Sequence, residues 1–510
     1  MKRKLFALLI ALAMALSLFA CNKTDTNSGN NSAPVEIEVA FSVVANGLDP
    51  ISEDINTTIS VTNHIYDRLV ELDVNFNQVP GVAKTWRQVD DFNWEFEINL
   101  DFVFQNGENL TMDDVVYSIE RLANIPKSQD VGVLVESVTY NGNILTIKTT
   151  EHNNSIIPRL LDMGVIVNKE YVEANGNEDA QREAVFMKPI GTGPYKVTEF
   201  IPGTTVVLET WDGYPFTKPQ IDKITITAIP DAANRYIAVE SGQIQYAGLI
   251  TAMEVELAQN NPALSVYRGN SSHIIPFGFN CEREPFDNVN IRRAIIHALD
   301  LDSICALNGG RDKVGSMLFP GFSDLYMDSP GFPEFDLDRA REILEAEGYT
   351  TDNPLTMETL YFRPDPGIEL FQSDLRKVGV DLVTNLVEFS VFLTKEGPGD
   401  FDGLWTSNPN RGGTWLTDLD RFDYDNFLGM RDLARWRNQR AQEIIAEMRT
   451  ENNMPRLREL SLELNTIIGN EVPIVGVFYN PILSVMTNNL TGVEIKPNLQ
   501  QNFRNASYNP

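Results

Sequence analysis

Apolar and polar residues alternate through Trp94-Glu95-Phe96-Glu97-Ile98-Asn99-Leu100, and that spacing predicts a half-buried strand. Val35 to Val44 alternates in the same way and reads as the first strand of the fold. Elsewhere the spacing lengthens. Ile59, Ile65, Leu69 and Leu72 predict a helix over 56–72, and Val115, Ile119 and Leu122 predict another behind Thr111. Thr111 followed by Asp113 and Asp114 is a helix start: the hydroxyl can take a free backbone N–H, and the acids favour the positive helix end. Asp336 is positioned to cap a helix striped by Leu337, Ala340, Ile343 and Leu344, which Gly348 can end. A further helix is expected after Pro366 to near Gly379, then a strand from Val380 to Val387, then a long helical pair over roughly 432–468. Gly191-Thr192-Gly193-Pro194-Tyr195 marks a turn ahead of a β-rich run through Ile229. Strands and helices alternate throughout, so the fold class is α/β.

The first residues break this pattern. Lys2, Arg3 and Lys4 precede an almost wholly apolar run from Leu5 to Ala20, the layout of an export signal rather than of mature structure. The run is shorter than the roughly 20 residues that a bilayer span needs. Leu18-Phe19-Ala20-Cys21 resembles a bacterial lipobox, in which the Cys becomes the lipid-modified first residue; Phe19 stands where a small residue is more usual. Residues 1–20 read as signal peptide. Residues 21–34, polar and rich in Asn, Ser, Thr and Gly, read as the lipidated Cys and a flexible tether. Losing 1–20 removes three positive charges and takes the formal charge from −30 to −33. Acidity on this scale excludes general nucleic-acid binding, which needs clustered Lys and Arg. It also excludes a basic surface for anionic lipid. Cys281 and Cys305 remain beyond the anchor; an exported pair could form a disulfide, and two separate buried thiols are the favoured alternative.

Motifs that would carry a reaction are missing. There is no Walker phosphate loop, no His-Glu-x-x-His helix and no Gly-x-Ser-x-Gly elbow. Gly191-Thr192-Gly193 lacks the third glycine of a dinucleotide fingerprint and reads as a turn. His64, His152, His273 and His297 are scattered, so no His metal site is expected, and each reads as a surface or satisfied core residue. No cofactor and no catalytic residue is assigned.

Four blocks, in order, carry a resemblance. The first holds Gly81-Val82-Ala83-Lys84-Thr85-Trp86, Trp94-Glu95-Phe96, Phe104-Gln105-Asn106-Gly107-Glu108 and Leu110-Thr111-Met112-Asp113-Asp114-Val115. The second is Pro189-Ile190-Gly191-Thr192-Gly193-Pro194-Tyr195 with Ile229-Pro230-Asp231 and Ser241-Gly242-Gln243-Ile244. The third is Phe279-Asn280, Pro285-Phe286-Asp287-Asn288-Val289, Ile291-Arg292-Arg293-Ala294 and Ala298-Leu299-Asp300. The fourth is Ala346-Glu347-Gly348-Tyr349. Together they resemble the family 5 extracellular solute-binding proteins, the oligopeptide-, dipeptide- and nickel-binding receptors of ABC importers. The resemblance implies a two-lobed periplasmic-binding-protein type II fold (cluster C) with an extra subdomain inserted in lobe I. Lobe I would take residues 35–60, 186–272 and 477–510, the insert 61–185, and lobe II 273–476, with crossings near Ile274–Asn280 and Val472–Tyr479. Trp86, Trp94 and Phe104 are expected in the insert's core, Gly191 and Gly193 to serve backbone geometry, and Arg292 and Arg293 to anchor a helix by salt bridges.

Ligand contacts are expected on the facing edges of the lobes. Asp54 and Asn56 follow Leu48-Asp49-Pro50, where peptide-binding relatives place an acid by the ligand. Relatives carry Trp-x-Ala-Asp in the second lobe, the Asp holding a peptide amino terminus; this chain has Trp405-Thr406-Ser407-Asn408, with Arg411 beyond it. A neutral amide cannot match a carboxylate's attraction for ammonium, so a group held there is expected to be uncharged or anionic. Trp415 and Tyr479 are further candidate walls. The implied function is the substrate-binding lipoprotein of an importer, extracytoplasmic, monomeric and membrane-held by its lipid, delivering a small-molecule or peptide ligand to ABC permease subunits. A ligand sensor without transport and an enzyme on the same scaffold are the competing classes.

Overall fold

The computed structural model describes residues 33–49, 56–75, 77–124, 134–152, 154, 156–157, 160, 164–175, 187–315, 325–327, 329–409, 415–424 and 433–510. Two long antiparallel strands, Leu264–Phe279 and Ile474–Thr487, form its spine, with Leu264 opposite Thr487 and Gly278 opposite Ile474. They sit in the middle of a twelve-stranded sheet. On one side the sheet continues through Tyr246–Ala247, Glu36–Phe41, Lys223–Ala228, Thr205–Thr210 and Tyr195–Ile201; on the other through Gly403–Trp405, Leu355–Tyr361 and Val380–Leu386. The last three run parallel to one another.

Each long strand changes its core partway along. Leu264, Val266, Leu483 and Val485 pack with Tyr236, Val239 and Val255 on the first side. Phe277, Phe279, Val475 and Val477 pack with Ile291, Leu344, Phe371 and Leu375 on the second. The ladder breaks between these halves: Asn270 faces Pro481 and Ile274 faces Tyr479, so Ser271, Ser272 and His273 stand against Asn480 alone. The passage between cores therefore lies at Asn270–Ile274 and Tyr479–Pro481, offset from the expected Ile274–Asn280 and Val472–Tyr479, whose apolar residues already belong to the second core. Local pairing alone could not place it, because both halves of each strand carry apolar runs.

A separate antiparallel sheet, ordered Ala83–Gln88, Asn93–Ile98, Ile144–Thr149, Val135–Asn141, packs against helix Met112–Ala123. The alternation in 94–98 buries Phe96 and Ile98 on the helix side. Thr111 caps the helix with Asp114 closing a capping box, and Val115, Ile119 and Leu122 are all buried. Phe104 is fully buried there, with Trp86 and Trp94 partly buried against the same cluster.

The helix expected over 56–72 stops at Ile65. Residues 70–72 instead pair with 78–80 as a short hairpin. Leu69 and Leu72 keep helical spacing while Val70 and Leu72 alternate as a strand does, and the close approach of another segment decides. A Cβ on Gly191 would stand 2.1 Å from the Ile65 carbonyl oxygen, and one on Gly193 2.5 Å from that of His64. These glycines thus permit backbone contact where the helix ends. Helices Leu337–Ala346 and Pro366–Lys377 start at Asp336 and Asp365, whose side chains accept from backbone N–H groups. The second leads through Gly379, at φ +90, into strand Val380–Leu386. The expected helical pair forms as Gln439–Thr450 and Met454–Glu471.

Arg292 and Arg293 do anchor a helix, but through carbonyls rather than ion pairs. Arg292 donates to Phe286, Asp287 and Glu471, and Arg293 to Gly331, Gly469 and Asn470. Their forked donors satisfy carbonyls at a helix end that carboxylates could not replace. Cys281 and Cys305 are not joined in a disulfide, and burial pushes the Cys305 thiol up to about 11. No helix among the described residues is long and apolar enough to cross a membrane.

Candidate functional site

Beside the break in the long strands lies a cavity of about 120 Å³, lined by Ile275, Asn308, Arg311, Phe362, Arg363, Pro364, Asp365, Trp405, Thr406, Ser407 and Asn480. Its walls have a common origin. Trp405–Ser407 and Phe362–Asp365 continue from the carboxyl ends of parallel strands Gly403–Trp405 and Leu355–Tyr361. Ligands of open α/β sheets collect outside such ends. Asn308 caps helix Leu301–Leu307, and Ile275 and Asn480 come from the two long strands.

The charges in this cavity are unequal in availability. The Asp365 carboxylate is saturated: Oδ1 accepts from Gly367 N–H at 2.8 Å and Asn308 Nδ2 at 2.9 Å, and Oδ2 accepts from Trp405 Nε1–H at 3.0 Å. Arg311 lies over the Phe478 ring at 4.6 Å, and Arg363 over Phe362 at 5.3 Å. Neither guanidinium has a carboxylate within ion-pairing distance among the described residues. Burial pushes the Arg311 pKa down, opposed by the more distant Asp365 charge. An acid held by three internal donors, beside two bases with no ion pair among the described residues, makes a cavity of net positive charge that favours an anionic group.

Of the expected contacts, Trp405 lines this cavity. It is only 3% exposed, packing on Phe277 and Phe371, and its indole N–H holds Asp365. Asn408 lies in the short strand Asn408–Pro409, registered on Ile274 at the break. Tyr479 is in the second core, its N–H donating to Asp312; its neighbour Asn480 lines the cavity. Trp415 opens helix Trp415–Leu419 and packs partly buried on the same core as Tyr479. Asn56 is the first residue of helix Asn56–Ile65. Asp54 and Arg411 lie outside the described residues. Sequence reasoning missed Arg311, Arg363 and Asp365. Arg363-Pro364-Asp365-Pro366, directly after an alternating strand, was the available signal.

A second charged group lies against the core formed by Ile65, Tyr66, Tyr195 and Phe503. Arg504 donates to Asp67 Oδ1 at 2.5 Å and to the Tyr66 carbonyl at 2.6 Å, and Thr192 donates to Asp67 Oδ2 at 2.8 Å. His64 is fully buried between the Ser60 carbonyl, 2.8 Å from Nδ1, and Phe503 N–H, which donates to Nε2 at 2.9 Å. Burial, with Arg504 nearby, pushes the imidazole down to about 3. His64 is thus a satisfied core residue. No group of three His, Cys, Asp or Glu able to hold a metal occurs among the described residues.

Two α/β halves sharing two long strands, with a cavity at the seam, have the build of a ligand-binding protein. The model of the bacterial extracellular solute-binding proteins, family 5, matches residues 77–427, and the chain belongs to that family. It is 23% identical to the oligopeptide-binding protein AppA of Bacillus subtilis, covering 97% of each chain. It is 21% identical to the dipeptide-binding protein of Escherichia coli, over 87% of this chain and 89% of that one. Among solved structures, the substrate binding protein CtaP of Listeria monocytogenes superposes with a TM-score of 0.81 at 16% identity, over 94% of this chain and all of that one. These likenesses give the fold as a two-lobed binding protein.

Proposed function

We propose that this chain is the substrate-binding lipoprotein of an ABC importer, capturing a peptide or similar small solute between two lobes and delivering it to the membrane permease. In this reading residues 1–20 are removed, Cys21 carries the lipid and 21–34 tether a monomeric body outside the cell membrane. Lobe I takes 35–60, 186–272 and 477–510, the insert 61–185, and lobe II 273–476. The observation that carries the reading is the cavity at the seam, where Arg311 and Arg363 have no carboxylate partner among the described residues while Asp365 is held by internal donors. It suits a carboxylate, such as a peptide's carboxyl terminus. The names of AppA and the dipeptide-binding protein support a peptide-like solute. Asp54, Asn56, Asn408, Arg411, Trp415 and Tyr479 complete the proposed cleft.

Calorimetry with a tripeptide and its carboxyl-terminal amide tests this. Amidation removes the charge and is expected to weaken binding by at least about tenfold, given the strength of charge-assisted hydrogen bonds. Equal affinity would sink the assignment. Cys21→Ala is expected to release the protein from membranes or to block processing. Mature protein that starts elsewhere and stays soluble counts against the anchor.

A further inference from the structure

The rim that holds Arg363 continues along the sheet. Strand Val380–Leu386 lies parallel to Leu355–Tyr361, and the pairing persists to its end, where Val387 N–H donates to the Tyr361 carbonyl at 2.9 Å. The next residues on the two strands are therefore neighbours at one carboxyl edge: Phe362 and Arg363 on one, Glu388 and Phe389 on the other. Phe389 meets Phe362 with ring centroids 4.9 Å apart, and buried Phe392 supports both, at 4.9 Å from Phe362 and 6.4 Å from Phe389. Phe389 is nonetheless 52% exposed. A single exposed aromatic is ordinary. This one differs because it extends, ring against ring, a wall of the cavity and stands on the edge where ligands of such sheets collect.

We infer that Phe362 and Phe389 form an apolar shelf beside the arginines, selecting a ligand whose anionic group carries an adjacent apolar or aromatic substituent. This rests on the carboxylate-binding reading above and deepens it. The occupant follows from charge and continuity: the arginines take the carboxylate, and the rings take the side chain next to it. Glu388, exposed at the helix start beyond Phe389, closes the shelf to a second anionic group. The preferred class is a peptide ending in a large apolar residue.

The probes are Ala-Ala-Phe and Ala-Ala-Gly, measured by calorimetry on the mature full chain. The wild type is expected to prefer Ala-Ala-Phe by about tenfold, the scale of one aromatic contact. Phe389→Ala is expected to bring that ratio close to one, and Phe389→Trp to restore it. A wild-type ratio near one, or a ratio that Phe389→Ala leaves at its wild-type value, overturns the shelf. Arg363→Gln separates the two readings, because it is expected to weaken both peptides together. If it weakens neither, or if neither peptide binds the wild type, the carboxylate site fails and the shelf fails with it.

Discussion

Two of the molecule's charged groups are built on opposite plans. Arg504, Asp67, Thr192 and His64 turn polar atoms toward one another and toward backbone. At the seam, Asp365 is held in the same manner, while Arg311 and Arg363 rest on aromatic faces with no ion pair among the described residues. Charges that find partners within the chain hold it together. A cation kept on a ring face near a cavity retains its capacity for an external anion. The contrast identifies the site more sharply than residue type does, since arginine occurs in both places.

The largest expected effect comes from breaking the Arg504–Asp67 group. Arg504→Met leaves Asp67 buried without its cation, and denaturant unfolding is expected to show a loss of about 3–5 kcal/mol. A loss near zero would place Asp67 with the seam arginines instead. His64 sharpens the same side. The unfolded imidazole takes up a proton near its ordinary value of about 6.5, the folded one at about 3. Between those values the unfolded state binds more protons, so stability falls as the pH drops through that window. The contribution is about 3 kcal/mol by pH 4, and His64→Gln is expected to lose that part of the slope. Matching slopes for wild type and variant would remove His64 from the account. On the other side, Arg363→Gln is expected to cost about 2 kcal/mol of affinity for a free tripeptide while shifting unfolding by about 0.5 kcal/mol or less. A stability loss as large as that of Arg504→Met would erase the distinction. The smallest effect belongs to a purely local feature. Thr111→Ala removes one cap and is expected to cost about 1 kcal/mol.

Features resting on neighbouring residues were legible in the sequence. Thr111 with Asp114, Asp336 with its helix, and the alternation in 94–98 each encode their own geometry within a few positions. The end of helix Asn56–Ile65 was not legible, because Leu69 and Leu72 fit a helix while Val70 and Leu72 fit a strand, and the deciding contact comes from Gly191 and Gly193, far along the chain. The cavity was half legible. Trp405 was named from a motif, but its partner Asp365 lies 40 residues earlier. Nothing local distinguishes Arg363 from any other arginine; its meaning depends on which carboxylates fail to reach it. The salt bridges expected for Arg292 and Arg293 failed for the same reason, their partners being carbonyls from distant turns.

The break in the long strands has a mechanical side. A paired ribbon resists bending wherever its ladder is complete, and this one is interrupted between Asn270 and Ile274 and again between Ile275 and Pro276. Ser272 N–H there donates to the Pro497 carbonyl at 2.7 Å, and His273 N–H to the Ser271 hydroxyl at 3.1 Å. The segment reaching Pro497 runs on to Gln501, Phe503 and Arg504, which hold Ser60, His64 and Tyr66. Any bend of the ribbon between Asn270 and Ile274 would therefore pull on the Ser272–Pro497 bond and, through it, on the helix that begins at Asn56.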